Sequence, residues 1–194
     1  AALPVAGPDA AAPPAAPPVT AIDLCTGCGC VAVSLAVHLP ACRVTATDIS
    51  AAALEAARAN AEGHAVADRV TLLAGDLYDA LDSADAQPAD YLLSNPPYVA
   101  EGEWAGLQRE IREHEPRQAL VAGPRGTEIV GRILKGAPAY LRPGGVLMVE
   151  IGSGQGAAAR EMAEAVRGLS EVEVLKDYAG LDRILLARRE AAGG

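Results

Sequence analysis

Residues 171–190 read EVEVLKDYAGLDRILLARRE. The run EVEVLKD (171–177) alternates charged and apolar side chains, the period-two pattern of a half-buried strand. DRILLARRE (182–190) carries a second apolar strand core, and only YAGL (178–181) stands between them. Four residues cannot hold the crossover that joins parallel strands, so the two runs form a hairpin and lie antiparallel. This ending decides the fold, because every earlier strand in the chain is followed by a segment long enough to cross over.

Five further apolar runs precede the hairpin: VTAIDL (19–24), RVTATD (43–48), RVTLLAGD (69–76), ADYLLSN (89–95) and GGVLMVEIG (144–152). Helical segments fall between most of them, near Val31–Leu39, in SAAALEAARANAE (50–62) with Ser50 as N-cap, in TEIVGRILKGAPAYL (127–141) despite Gly131, Gly136 and Pro138, and in GQGAAAREMAEAVRG (154–168). Near-continuous apolar strands alternating with helices specify an α/β fold, a parallel sheet covered on both faces. With the closing hairpin this gives a seven-stranded, mostly parallel sheet with an antiparallel last strand and helices on both faces, which looks like the Rossmann-like methyltransferase fold. In such sheets ligands lie beyond the carboxyl ends of the strands. Residues 1–18, with six prolines and no periodicity, read as a flexible Pro/Ala-rich tail, and residues 19–190 as a single domain.

The 194 residues suffice for one full core, and a net charge of −9 argues against bulk affinity for nucleic acid. No apolar run is long enough for a membrane span, and the N-terminal stretch lacks the basic residues of a targeting signal. A soluble, cytoplasmic protein is expected, with no membrane partner. The absent initiator methionine reads as a fragment or a processed form. Of the four cysteines, Cys25, Cys28 and Cys30 fall in one glycine-rich turn, CTGCGC, and no second close pair completes a zinc site, so no metal is expected.

That turn follows the first strand. Gly27 and Gly29 allow a sharp turn and close approach of a ligand to the backbone, and with Ala32 they also satisfy the dinucleotide pattern G-x-G-x-x-A. The second strand ends at Asp48, whose carboxylate can accept both hydroxyls of a ribose. The third ends at Asp76-Leu77, where an acid can hold an adenine amino group and a leucine can pack on the ring. Asp23, Asp48 and Asp76 at the ends of three successive strands indicate a nucleoside cofactor, either NAD or S-adenosylmethionine.

Asn95-Pro96-Pro97-Tyr98 closes the fourth strand. Two prolines remove two donors and fix φ twice, which makes a stiff strand end. The Asn95 side-chain oxygen and the Pro96 carbonyl are suited to grip the two N–H bonds of a planar NH2 and aim its lone pair at a methyl donor. Pro97 stiffens this cradle, and Tyr98 can lie against the flat face of the substrate group. The acceptors bind more tightly as the nitrogen gains positive charge, so they favour the transition state.

SNPPYV resembles the (N/D)PPY motif of amino-group methyltransferases that use S-adenosylmethionine. The later run EHEPRQALVAGPRGTEIVGRILKGAPAYLRPGGVLMVEIGSGQG (113–156) narrows the likeness to the release-factor glutamine N(5)-methyltransferase family (HemK/PrmC-like), over about residues 19–188. The resemblance implies methylation of the glutamine amide in the Gly-Gly-Gln motif of a peptide chain release factor. It also implies cofactor contacts from Cys25, Thr26, Gly27, Cys28, Gly29 and Asp48, with Asp76 and Leu77 near adenine and Asn95 touching cofactor and substrate. Asn95, Pro96, Pro97 and Tyr98 would bind the glutamine, and Glu115-Pro116-Arg117 reads either as a cover over the site or as a salt-bridged loop anchor. Members usually carry an N-terminal helical domain where this sequence has its Pro/Ala-rich stretch. They usually have GTGSGA where it has CTGCGC, and G-x-D-G-L where it has GPRGTE. The alternatives are a nucleic acid amino-group methyltransferase, a non-catalytic binding protein of the same fold, and a dehydrogenase.

Overall fold

The computed structural model describes residues 18–191, so positions 1–17 of the expected tail lie outside the described residues. In chain order the elements are β1 (Thr20–Leu24), α1 (Cys30–His38), β2 (Arg43–Asp48), α2 (Ala51–Gly63), β3 (Val70–Ala74), α3 (Asp79–Ser83), β4 (Ala89–Ser94) and β5 (Val99–Ala100). A 3-10 turn (Glu101–Gly106), α4 (Arg109–His114), α5 (Arg117–Leu120) and β6 (Val121–Gly123) follow. The chain then runs through α6 (Glu128–Tyr140), β7 (Leu141–Glu150), α7 (Gly156–Glu164), β8 (Leu169–Lys176) and β9 (Asp182–Arg189).

Seven strands form one sheet in the order β3-β2-β1-β4-β7-β9-β8. The β1, β2, β3, β4 and β7 pairings are parallel, and β9 runs antiparallel to both β7 and β8. The hairpin reading of residues 171–190 therefore holds.

Each face of the sheet has its own apolar layer. On one, Ile22, Leu24, Leu92 and Leu147 pack with Ile133 and Leu134 of α6 and Ala159 and Ala163 of α7. On the other, Ala21, Val44 and Ala46 pack with Ala32, Val33 and Ala36 of α1 and Ala61 of α2. With no phenylalanine in the chain, the second layer is built from small side chains and brings its helices close to the strands. Ser50 caps α2 as expected, its hydroxyl accepting from the Ala53 N–H at 3.2 Å.

Several boundaries differ from the sequence reading. Helix α7 stops at Glu164 rather than near residue 168, and the chain turns through Gly168 at φ +93° into β8. β7 begins at Leu141 and carries Pro143, with a register shift opposite Ala89 and Tyr91 that accommodates the missing donor. The stretch after Tyr98, to which the sequence reading assigns no element, contains the 3-10 turn, α4, α5 and the small parallel β5–β6 ladder. The short helix α3 was not expected either; it is tied down by Tyr78, which stacks on Tyr140 at 4.7 Å and donates to the Ile133 carbonyl at 2.6 Å.

Candidate active site

The carboxyl ends of β1, β2, β3 and β4 open onto a cavity of about 520 Å³. That volume is within the range of small-molecule and cofactor pockets. Its floor is the turn after β1. Cys25 sits at φ +57°, Gly27 at +57° and Gly29 at +82°, so three of five consecutive residues are left-handed. Gly29 has no alternative, because a Cβ there would come within 3.0 Å of the Ala57 Cβ. A Cβ on Gly27 would meet no protein atom within 4 Å, so the space above it is open to a ligand. Cys25 takes the same backbone conformation as a β-carbon-bearing residue, which costs on the order of 1 kcal/mol.

The turn is held by two carboxylates. Buried Asp23 accepts at Oδ2 both from the Thr26 hydroxyl at 2.7 Å and from the Ala32 N–H at 3.2 Å. It thus caps α1 across the turn, where Gly29 has no side chain to do so. Asp48 accepts from the Gly27 N–H through Oδ2 and from the Ser50 N–H through Oδ1, each at 2.8 Å, tying the turn to the start of α2. Burial pushes the Asp23 carboxyl up to about 6, opposed by its Thr26 and Ala32 hydrogen bonds and reinforced by the Asp48 charge. Burial, with Asp48 beside it, pushes the Cys25 thiol up to about 12, so it stays a neutral thiol at physiological pH.

The cavity wall brings together Cys25, Thr26, Gly27, Cys28, Asp48, Asp76, Leu77, Asn95 and Pro97 from the sequence reading. Thr26 is buried and spends its hydroxyl on Asp23, and the exposed Cys28 offers its carbonyl to the Asn60 amide at 2.9 Å. Asp76 does not stand alone: Arg132 of α6 donates to its Oδ2 at 2.9 Å, and both lie on the wall. Leu77 is buried at φ +51°, anchored in the core below the cavity. Asn95 is exposed on the wall, while Pro96 is buried and absent from it.

Tyr98 is also off the wall. Its phenol donates to Glu150 Oε1 at 3.3 Å, and burial, followed by the Glu150 charge, raises its pKa. Glu115, Pro116, Gln118 and Ala119 also line the cavity, whereas Arg117 lies 6.0 Å over Trp104.

Arg132 and Gln155 escaped the sequence reading. Arg132 sits on a helix 56 residues from Asp76, and no local pattern announces the pair. Gln155 stood in the quoted GSGQG run without a role; its amide reaches the carbonyls of Tyr98 at 2.8 Å and Gly126 at 3.1 Å.

Electrostatically the wall holds four carboxyl groups, Asp23, Asp48, Asp76 and Glu115, against one guanidinium, Arg132. Such a site repels the phosphates of a dinucleotide and suits a ligand with net positive charge and ribose hydroxyls. Among the described residues no group of three or more His, Cys, Asp or Glu side chains is arranged to hold a metal.

Fold and cavity together are those of a Rossmann-like methyltransferase. A methyltransferase from Pyrococcus furiosus, known from its crystal structure, matches this fold with a TM-score of 0.66 at 22% identity, over 90% of this chain and 76% of that one. The chain belongs to the methyltransferase small domain family, whose model matches residues 14–118. It is similar to the release factor glutamine methyltransferase of Chlorobaculum tepidum, at 46% identity over 84% of this chain and 54% of that protein. The protein of the same name from Moorella thermoacetica is 47% identical over 88% of this chain and 59% of its own length. The chain thus spans between half and two thirds of these relatives.

Proposed function

We propose that this chain is the catalytic domain, from about residue 19 to residue 190, of an S-adenosylmethionine-dependent methyltransferase. Its acceptor is the side-chain amide nitrogen of a protein glutamine, the one in the Gly-Gly-Gln motif of peptide chain release factors, and it works in the cytoplasm. The observation that carries this reading is the position of Asn95 and Pro97 on the wall of an acidic cavity that also holds Asp48 and Asp76. The names of the relatives supply the substrate. Among the described residues no helix is long and apolar enough to cross a membrane.

In this reading Asp48, whose two oxygens each keep a free lone pair after accepting from Gly27 and Ser50, receives the ribose hydroxyls. Cys25 to Cys28 bring backbone against the ligand while Gly29, expected to join them, lies off the wall against Ala57; Leu77 supports the adenine from below, and Asp76 shares its carboxylate between Arg132 and the adenine amino group. The cofactor supplies an electrophilic methyl group on a sulfonium. Asn95 accepts one N–H of the glutamine amide and the Pro96 carbonyl the other, which turns the nitrogen lone pair towards the methyl group. Pro97 keeps the two acceptors at fixed spacing, and Tyr98 sets the edge of the substrate slot. On transfer the nitrogen would gain the methyl group as the bond to sulfur breaks, leaving a neutral thioether, and the extra N–H proton would pass to solvent; no strong base is needed, and positioning carries most of the rate.

The test is incubation with S-adenosylmethionine and a bacterial-type release factor, followed by mass spectrometry of the Gly-Gly-Gln peptide. One added methyl on that glutamine is expected, absent with Asn95→Ala although calorimetry still detects cofactor binding. Undiminished turnover by Asn95→Ala would remove the asparagine from the mechanism. Intact cofactor binding with no methyl transfer by the unmodified chain would refute the substrate assignment.

A further inference from the structure

The residue that starts helix α7 does not cap it. Gln155 occupies the N-cap position, yet its side chain makes no capping bond. The amide is turned back instead. Its Oε1 accepts from the Gly152 N–H at 2.8 Å, which fixes the side chain, and its Nε2 donates to the Tyr98 carbonyl at 2.8 Å and to the Gly126 carbonyl at 3.1 Å. One amide thereby joins three segments far apart in sequence: the turn after β7, the loop before α6, and the Asn95–Tyr98 segment.

Gly126 is shaped for this junction. At φ +78° it lies so close that a Cβ would come within 2.6 Å of the Tyr98 carbonyl oxygen, 2.9 Å of the Ala100 nitrogen and 2.9 Å of Gln155 Nε2. The sequence GPRGTE departs from the usual acidic pattern, but it keeps the glycine on which this contact depends. The other end of Tyr98 is also tied to the strand preceding Gln155, since its phenol donates to Glu150 Oε1. The Asn95–Tyr98 segment has little means of fixing itself: two of its four residues are prolines without an N–H. Its pairing beyond Tyr98 is only the two-residue strand β5.

We propose that Gln155 is a positioning residue for methyl transfer, setting the placement of the Asn95 and Pro96 acceptors by holding the Tyr98 carbonyl against Gly126. The inference rests on the function proposed above and assigns it a residue outside the cavity wall. A residue of this kind acts mainly on the rate of transfer, since the cofactor contacts assigned to Asp48, Asp76 and the turn after β1 do not pass through it.

Gln155→Glu separates the two roles of the amide. The carboxylate keeps the length and the bond from the Gly152 N–H, but it sets a negative oxygen against the Tyr98 and Gly126 carbonyls. Gln155→Met removes the polar group while keeping the bulk. With release factor as substrate, kcat is expected to fall by roughly 10- to 100-fold in both, as for a misplacement near 1 Å, with the dissociation constant for S-adenosylmethionine changed by less than about twofold. Hydrogen exchange at the Val99 and Ala100 amides is expected to speed up by about tenfold or more, while exchange in β1 and β2 stays as it was. Unchanged exchange at those amides, or a kcat within about twofold of the parent, overturns the proposal. If the parent chain transfers no methyl group but exchange at those amides rises in the variants, the proposed function fails and the clamp on Tyr98 stands.

Discussion

Asp23 gives the sharpest test of how the turn after β1 is held. It is buried at the end of β1, and a single oxygen, Oδ2, accepts both from the Thr26 hydroxyl and from the Ala32 N–H. Asn in its place can set its own oxygen where Oδ2 now lies and keep both bonds, while losing the charge. The carboxyl is raised from an ordinary 3.8 to about 6, chiefly by burial. That gap corresponds to about 3 kcal/mol. The direction is set by which state ionises first. Below about pH 4 the group is neutral both folded and unfolded, so folding bears no penalty. Between about pH 4 and 6 the unfolded chain ionises first and stability falls as pH rises; above about pH 6 both forms are ionised and the loss levels off near 3 kcal/mol. Asp23→Asn removes this dependence. Urea unfolding followed by circular dichroism, across about pH 4.5 to 7.5, should show the variant gaining about 2 kcal/mol on the parent as pH rises. A difference constant to within about 0.5 kcal/mol over that range would refute the reasoning, because it would mean that the burial of Asp23 does not disfavour its charge.

Asp48→Ala strips the acceptor from the Gly27 and Ser50 N–H groups and should lower stability by about 2 kcal/mol while weakening S-adenosylmethionine tenfold or more. Calorimetry and urea unfolding on the same preparation check both, and unchanged cofactor affinity would remove the ribose role. Gly29→Ala forces a β-carbon into a left-handed residue and within 3.0 Å of Ala57 Cβ, so a loss of about 2–3 kcal/mol is expected, measured as a lower urea midpoint at constant m-value.

The strands were legible because their patterns are local. VTAIDL, RVTATD and ADYLLSN carry enough consecutive apolar residues to declare buried strands, and YAGL is too short for anything but a hairpin. The turn after β1 was legible for a similar reason, since Gly27, Gly29 and the strand-end acids sit within fixed distances of the strands that carry them. Cys25 was visible as a residue in a glycine's place, and its φ of +57° bears out that description. What escaped depends on contacts between distant segments. Arg132 reaches Asp76 across 56 positions, Gln155 reaches Tyr98 across 57, and the Tyr98 phenol turns to Glu150 across 52, and none of these pairings leaves a periodic trace. The helices of residues 101–120 were missed because each is only four to six residues long, too short to show a face.

The place of β9 has a consequence for how the molecule comes into being. β9 follows β8 in the chain but lies inside it in the sheet, between β7 and β8, and among the described residues β8 has no other neighbour in that sheet. On a translating ribosome, β8 therefore emerges with nothing to pair with, and the outer edge of β7 stays open, until residues 182–189 have left the exit tunnel. The five parallel strands can assemble earlier, but the apolar side chains Leu185 and Ala187 of β9 must still be delivered to a core that is already forming. During that interval the open β7 edge joins the outer edge of β3 as a surface able to pair with another nascent chain.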